Sequence, residues 1–457
     1  MLAASGSSSA QGPTVADLVD NNLAFIKLDR ANTNLGASFQ MHFIDTVTVN
    51  GVIKAYYIKN IAGHLGIALA ESTDGINFTH KADVVMAGAA GTPDSNMASF
   101  PGVWYENGTY YVVYEAVGHA SSQRGAIGLA TSTDGITFTK QGIILDYAPN
   151  TWEAANIGTP SLYKENGIWY LFYHGFDFTV CQIGVATGTS LFNLTKHAGN
   201  PILAVAPGKA DAGTLGRRGV KKVGSKYYMV YEVSENQVPG APGFQGARWS
   251  SAMASSSDLL NWTKFSQNPI LPQTVFADGF GNDGPTFLST GGLNYVYYRI
   301  SATSPVTRRA LIANQNYGGF DTSWTMSGTF IGHDVGRPDG DGWSANMTQD
   351  PNPGFLQYGP YYPSLPAGDH IATWSLMIDN NSSNDDEQMR LEVVDVDNNY
   401  AVVQQRIITR KQWKQPQRYE YFSVPFRVEP SMLNHRLEFR AYWYRRAFIR
   451  EGKVGLS

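Results

Sequence analysis

Asp283-Gly284-Pro285 puts a carboxylate two residues ahead of a proline that opens an apolar run, and four other stretches of the chain align with it. Counting back six residues from each downstream Gly-containing turn gives Ile44, Pro101, Pro160, Arg218 and Pro285; two residues earlier stand His42, Ser99, Gly158, Gly216 and Asp283. Asp283 is the one carboxylate of that set. A second set ends the aromatic stretches, Tyr114-Glu115, Tyr173-His174, Tyr231-Glu232 and Tyr298-Arg299. Glu, His, Glu and Arg at one repeat position are hard to explain by packing alone. One carboxylic acid beside one carboxylate is the equipment of general acid–base chemistry. The expected pair is Asp283 with Glu232, and Asp211, next to Arg217-Arg218, is expected as a third acid that tunes them. Asp211 also belongs to a repeated series, Asp94, Glu153, Asp211 and Asp278, each seven residues before its anchor. Acids repeated in this way better suit turn residues that accept backbone N–H bonds than catalysts, with Asp211 the exception. Asp283 could likewise serve only as the partner of Arg299.

The elements that must position these side chains are read from internal repetition. Ser72-Thr-Asp-Gly-Ile-Asn-Phe-Thr79, Ser132-Thr-Asp-Gly-Ile-Thr-Phe-Thr139, Gly188-Thr-Ser-Leu-Phe-Asn-Leu-Thr195 and Ser256-Ser-Asp-Leu-Leu-Asn-Trp-Thr263 are copies of one turn, with a weaker fifth ending at Thr325. Ahead of each copy lies a tight turn followed by an aromatic pair, as in Asn50-Gly51 with Tyr56-Tyr57 and Asn107-Gly108 with Tyr110-Tyr111. Asn-Gly between alternating apolar residues is the strongest short hairpin signal. Each unit therefore reads as four antiparallel strands, and five such units over residues 23–333 predict a five-bladed β-propeller. The aromatic after each Ser-x-Asp turn is expected to plug the groove between neighbouring sheets, and residues 23–30 to supply a closing strand that protects the last sheet's edge.

The period stops near Ile331, and a Gly/Pro/Asp-rich linker leads into separated strands at 370–378, 389–396, 400–409, 419–426 and 436–444. With no helical stripe among them, residues 334–457 predict a β-sandwich, making the chain all-β. Trp374, Trp443 and the acidic cluster Asp385-Asp386-Glu387 are its marked features, and its role is either carbohydrate capture or packing on the repeats before it. Residues 1–22 read as a flexible leader without the basic region or apolar core of a signal peptide.

Composition narrows the partners. With 457 residues, 43% of them apolar, the chain can bury large cores. A net charge of −4 from interspersed acids and bases argues against nucleic acid or an anionic membrane. No run of 18 apolar residues is present. The single cysteine, Cys181, sits in an apolar run and reads as a packed thiol. No transition-metal motif is found. A structural calcium is conceivable on the axis through His42 and Asp283 or in the acidic loop. The six sequons, Asn77, Asn107, Asn193, Asn261, Asn346 and Asn381, are better explained by turn chemistry, since four recur in the repeat.

The Ser-x-Asp-x-x-x-Trp-Thr turn, the Asn-Gly-x-Tyr-Tyr hairpins and a carboxylate two residues before a strand-opening proline resemble the five-bladed propeller glycoside hydrolases, the superfamily of families 43, 62, 32, 68, 117 and 130. The similarity covers roughly residues 23–333. In family 43 the first blade supplies an Asp base, whereas here it carries His42 and Asp45, and Ser99 and Gly158 stand where further acids would be. The resemblance implies a secreted or periplasmic, monomeric enzyme that cleaves glycosidic bonds of a plant, algal or microbial polysaccharide, with no cofactor required. Asp283, Glu232 and Asp211 would be catalytic. His42, Asp94, Glu115, Glu153, His174, Arg218 and Arg299 would bind substrate, with Trp152 as a stacking platform. The appended sandwich would resemble galactose-binding-like modules. A non-catalytic sugar-binding propeller, or a lyase or phosphorylase on the same fold, are the alternatives.

Overall fold

The computed structural model describes residues 11–35, 42–118, 124–235, 249–272, 281–301, 306–363 and 365–457. Nearly all regular structure is β. The strands of the repeats are β1 (Phe25–Asn32), β2 (His42–Val49), β3 (Val52–Ile61), β4 (His64–Ser72), β5 (Thr79–Val85), β6 (Met97–Glu106), β7 (Thr109–Val117), β8 (Gly125–Ser132), β9 (Thr139–Leu145) and β10 (Asn156–Glu165). They continue with β11 (Ile168–Phe176), β12 (Cys181–Gly188), β13 (Thr195–Lys196), β14 (Thr214–Val223), β15 (Lys226–Ser234), β16 (Trp249–Ser256), β17 (Trp262–Lys264), β18 (Gly281–Thr290), β19 (Leu293–Ser301) and β20 (Val306–Ala313). β2–β5, β6–β9, β10–β13 and β14–β17 are four-stranded meanders, and β18–β20 with β1 make a fifth group. Single parallel bridges at strand starts, Leu65 to Met97, Cys181 to Thr214 and Trp249 to Gly281, join successive groups into open sheets.

The repeated sequences do what their chemistry dictates. Asn50-Gly51, Asn107-Gly108 and Asn166-Gly167 all have positive φ at both residues, the conformation of a two-residue hairpin turn that only such residues adopt cheaply. In the Ser-x-Asp turns the Ser72 hydroxyl accepts the Asp74 and Gly75 N–H groups, and Asp74 Oδ1 accepts those of Ile76 and Asn77. Ser132 with Asp134 and Ser256 with Asp258 repeat this pattern. The following aromatic reaches a neighbouring group of strands: Phe138 meets Tyr56 at 5.8 Å and Trp262 meets Phe172 at 6.1 Å.

Two compact units divide the chain. One comprises residues 30–290 with 296–309; the other comprises residues 1–29, 291–295 and 310–457, with borders inside β1, β19 and β20. Of the leader expected over 1–22, residues 1–10 lie outside the described residues, whereas Val15–Val19 form a short helix with Val15, Leu18 and Val19 buried. In the second unit one sheet runs 337–339, 342–345, 449–456, 368–378, 420–428, and the other 354–357, 436–443, 387–395, 401–409. Both contribute to one core around Trp374, Trp413 and Trp443. The indole N–H groups of Trp374 and Trp443 donate to Gln357 Oε1 and the Ala447 carbonyl. Among the described residues no helix is long and apolar enough to cross a membrane.

Candidate active site

The first strand of each meander carries a bulge at the same place. Pairing slips between His42 and Ile44, Ser99 and Gly102, Gly158 and Ser161, and Leu215 and Arg218. Phe100 and Thr159, inside two of these bulges, and Gly284, at the aligned position of β18, all have positive φ. The N–H groups of Thr159, Gly284 and Arg217 meet the carboxyls that end the aromatic strands. Glu115, on β7, accepts the Thr159 N–H at 2.9 Å. Glu232, on β15, accepts the Arg217 N–H at 2.8 Å and the Gly284 N–H at 2.9 Å, one on each oxygen. Glycine is needed beside them: a Cβ on Gly158 or Gly216 would lie 2.0 Å from an oxygen of Glu115 or Glu232.

Asp283, only 2% exposed, is gripped by Arg299, whose Nε donates to Oδ1 at 2.7 Å and Nη2 to Oδ2 at 2.5 Å. This is the bidentate geometry that makes guanidinium–carboxylate pairs strong. Glu232, fastened to the next residue in the chain, feels this neighbour. Burial first, and then repulsion from Asp283, push its carboxyl up to about 7, against the two N–H donors and Arg299. Burial likewise pushes Glu115 up to about 7, opposed by the Thr159 N–H, Asn156 and Arg218.

Arg218 is fully buried and donates through Nη2 to Thr159 Oγ1 at 2.6 Å and through Nε to the Gly216 carbonyl at 2.8 Å. Thr159 Oγ1 in turn lies 2.8 Å from His174 Nδ1. Burial, reinforced by Arg218, lowers His174 to about 3, so the ring is neutral. Arg217 spans the assembly: Nη1 donates to the Pro160 carbonyl at 3.2 Å, and Nη2 to the Ile44 carbonyl at 3.0 Å, with Asp45 Oδ1 at 3.6 Å. Cys181 is buried and its thiol pushed well up, by burial and then by Glu232 and Glu115. The structure therefore brings together Asp283, Glu232 and Arg299 in one cluster, and Glu115, His174 and Arg218 in another.

It does not bring Asp211, Asp94, Glu153 or Trp152 to either cluster through any described contact. Asp94 pairs with Lys140 at 2.5 Å and accepts from the Tyr114 hydroxyl. Glu153 pairs with Lys196, and Asp211 with Lys264, in the same way. In each case a loop acid ties down a lysine of its meander's outermost strand. Trp152 lies against Gly175 and Gly184, where a Cβ would meet its ring, and packs on Tyr173 at 5.8 Å. The His42 side chain and Asp278 lie outside the described residues; the His42 backbone pairs with Ile58. Among the described residues no three His, Cys, Asp or Glu side chains converge as a metal site. In the acidic loop Asp385 accepts the Lys411 N–H, and Asp386 accepts from Asn384.

No protein-family model matches the chain. Over 208 residues, 42% of this chain, it is 26% identical to a 1,2-beta-oligomannan phosphorylase of Thermoanaerobacter sp. (strain X514), spanning 61% of that protein's length. Among solved structures, a glycoside hydrolase superimposes with a TM-score of 0.51 over 67% of this chain and 96% of its own, at 16% identity. A BT0996 RGII complex does so with a TM-score of 0.50 over 66% and 95%, at 16% identity. The fold is shared with these two solved structures. The resemblance to propeller glycoside hydrolases is thus borne out at the level of fold.

Three participants escaped the sequence reading as site residues. Thr159 and Arg217 earn their places through the bulge conformation, which nothing local in the sequence announces. Asp45 stands one residue after the Ile44 anchor, a signal that could have found it; its Oδ2 accepts the Val103 N–H at 2.9 Å. A fourth residue, Phe178, lies four positions after His174 with φ +77° and 68% of its surface exposed. Asp177 fixes this turn by accepting the Thr179 and Val180 N–H groups at 2.8 and 2.9 Å. An exposed aromatic held in a strained backbone is an observation that points toward function.

Proposed function

We propose that the chain is a carbohydrate-active enzyme that cleaves glycosidic bonds, with Glu232 as general acid and Asp283 as the carboxylate that activates the attacking water or attacks the anomeric carbon. The observation that carries this reading is the Gly284 N–H bond, which fastens a carboxyl of raised pKa beside an arginine-held carboxylate. Glycoside cleavage needs that division of labour, one group to protonate the leaving oxygen and one to supply negative charge. Glu115, His174, Arg218 and Arg299 would hold the sugar or its neighbours in place. Phe178 replaces Trp152 as the proposed stacking face. Asp211 is left out of the pair, because its lysine bond repeats at Asp94 and Glu153, where it ties down an outer strand.

The five groups of strands are read as blades of one propeller. Supporting this, Tyr297 of the fifth group donates to the Gly75 carbonyl of the first at 2.7 Å, just as Tyr56 of the first donates to Gly135 of the second at 2.9 Å. Arg217 of the fourth reaches the third and first groups, as a residue near a central axis would. The two-sheet unit is read as the accessory sandwich, and export to the cell exterior or periplasm accompanies the proposal.

A second reading, phosphorolysis, is favoured by the oligomannan phosphorylase relative. There a phosphate oxygen would bond to the anomeric carbon as the glycosidic C–O bond breaks, and the leaving oxygen would take the proton from Glu232. Incubating the protein with soluble mannan, arabinan and galactan oligosaccharides, with and without inorganic phosphate, tests both. Free reducing sugar released without phosphate supports hydrolysis, sugar 1-phosphate formed only with it supports phosphorolysis, and no cleavage under either condition contradicts the proposal.

A further inference from the structure

The unit built from residues 1–29, 291–295 and 310–457 contains a cleft of about 570 Å³ that the active-site reading does not use. This volume falls within the roughly 300–1,000 Å³ of small-molecule sites. Its walls carry Tyr317, Tyr419 and Tyr421 together with Gln315, Asn316 and Arg418, facing the segment that contains Asp17. Tyr419 and Tyr421 are two apart along an extended stretch and so share a face.

The walls are fixed by hydrogen bonds. Asn314 and Tyr317 exchange backbone hydrogen bonds at 2.9 and 3.1 Å, and Asn314 Oδ1 also accepts the Asn316 and Tyr317 N–H groups. The Tyr419 hydroxyl donates to Asp341 at 3.0 Å. Behind this wall, Tyr421 donates its N–H to the Asn22 carbonyl at 2.7 Å, and Asn22 Nδ2 donates to Glu420 at 2.9 Å. Asp17 is held by the Thr14 N–H and hydroxyl, each at 2.8 Å. A ligand would meet a preformed site, and little ordering entropy would be lost on binding.

The lining chemistry selects the ligand. Flat phenol rings with polar tips offer stacking faces and hydroxyl partners at low conformational cost. Amide side chains and one guanidinium supply paired donors and acceptors of the kind vicinal hydroxyls match. Arg418 is offset by Asp17, so the cleft has no excess of charge to favour an anion, and its polar walls disfavour a purely apolar guest. We infer that this cleft is a second binding site for a neutral glycan chain, separate from the catalytic cluster, which holds polysaccharide to the enzyme. The choice of a glycan among neutral polyols rests on the proposed function.

Affinity electrophoresis of the full-length Asp283→Asn protein through gels containing soluble β-mannan, arabinan or galactan tests this. At least one polysaccharide should retard it, and Tyr317→Ala or Arg418→Ala in that background should weaken the affinity about tenfold or more. In the otherwise native enzyme the same substitutions should leave turnover of a short soluble oligosaccharide within about twofold, since they touch no group of the proposed catalytic pair. Melting curves matching the parent identify a folded variant, and Asn316→Ala substitutes for either that fails this check. Retardation unchanged in the folded variants, or none in any gel, overturns the inference. Retardation lost in the variants, from a protein that turns over no polysaccharide, would uphold the cleft and remove the proposed catalysis instead.

Discussion

Gly284 donates its backbone N–H to Glu232 Oε2 at 2.9 Å, so the carboxyl that ends β15 is fastened to the residue immediately after Asp283. Two acids from different meanders are thereby locked together, one gripped by Arg299 and the other left without a cation in direct contact among its described partners. The consequences can be measured.

The pH profile should report Glu232. Its carboxyl is raised to about 7 by burial and by Asp283, so it carries its proton below that pH. Turnover should fall as pH climbs through about 7, and Glu232→Gln should remove that limb while lowering the rate about 100-fold or more. An unchanged limb in the variant would assign it to another group.

Stability should fall over the same range. Glu115 and Glu232 both have folded pKa values near 7, above the ordinary 4.5 of the unfolded chain. Between those values the native state binds more protons than the unfolded one, so the stabilisation present below about 4.5 is lost as pH rises through about 7. Each glutamate accounts for on the order of 3 kcal/mol at the top of that window. Denaturant titrations at pH 5 and pH 8 should show the decline, and Glu115→Gln should flatten it.

Asp211→Asn should behave as a structural change. Breaking the Lys264 pair leaves that lysine without its carboxylate, and the analogous Asp94→Asn should do the same at Lys140. Thermal melts should drop for both, by about 1–3 kcal/mol of stability, with kcat within a few fold of the parent. A kcat loss as large as that of Glu232→Gln would return Asp211 to the catalytic group.

Much of this was legible in the chain. The Ser-x-Asp turns and Asn-Gly hairpins are local chemistry, and they formed where the repeats placed them. The five strands expected after residue 370 lie within about two residues of those observed. Also legible was the neighbourhood of Asp283, Glu232 and Arg299, because repeat alignment converts sequence position into position in the fold. What stayed hidden depends on conformations and partners far along the chain. Asp211 meets Lys264, 53 residues on, and nothing near it in sequence signals that partner. Thr159 links Arg218 to His174 only because its φ is positive. The strand at 449–456, central in its sheet, has no clean alternation because both its faces are largely buried.

That strand also holds a testable oddity. Glu451 is fully buried, both of its carboxyl oxygens lack a hydrogen-bond partner among the described residues, and burial raises its pKa well above the usual range. Glu451→Met, of similar length and apolar, should raise the melting temperature, and more so at pH 8 than at pH 5, because ionisation of the native glutamate is penalised most there. Equal melting temperatures at pH 8 would contradict this account of the site.

The most direct test of the central claim is the turnover of Asp283→Asn and Glu232→Gln on whichever oligosaccharide the native protein cleaves, with circular dichroism to establish that both are folded. The proposed acid–carboxylate pair predicts a loss of about 100-fold or more in kcat for each. Turnover within a few fold of the native protein in both variants would contradict it, and would leave Asp283 as no more than the structural partner of Arg299.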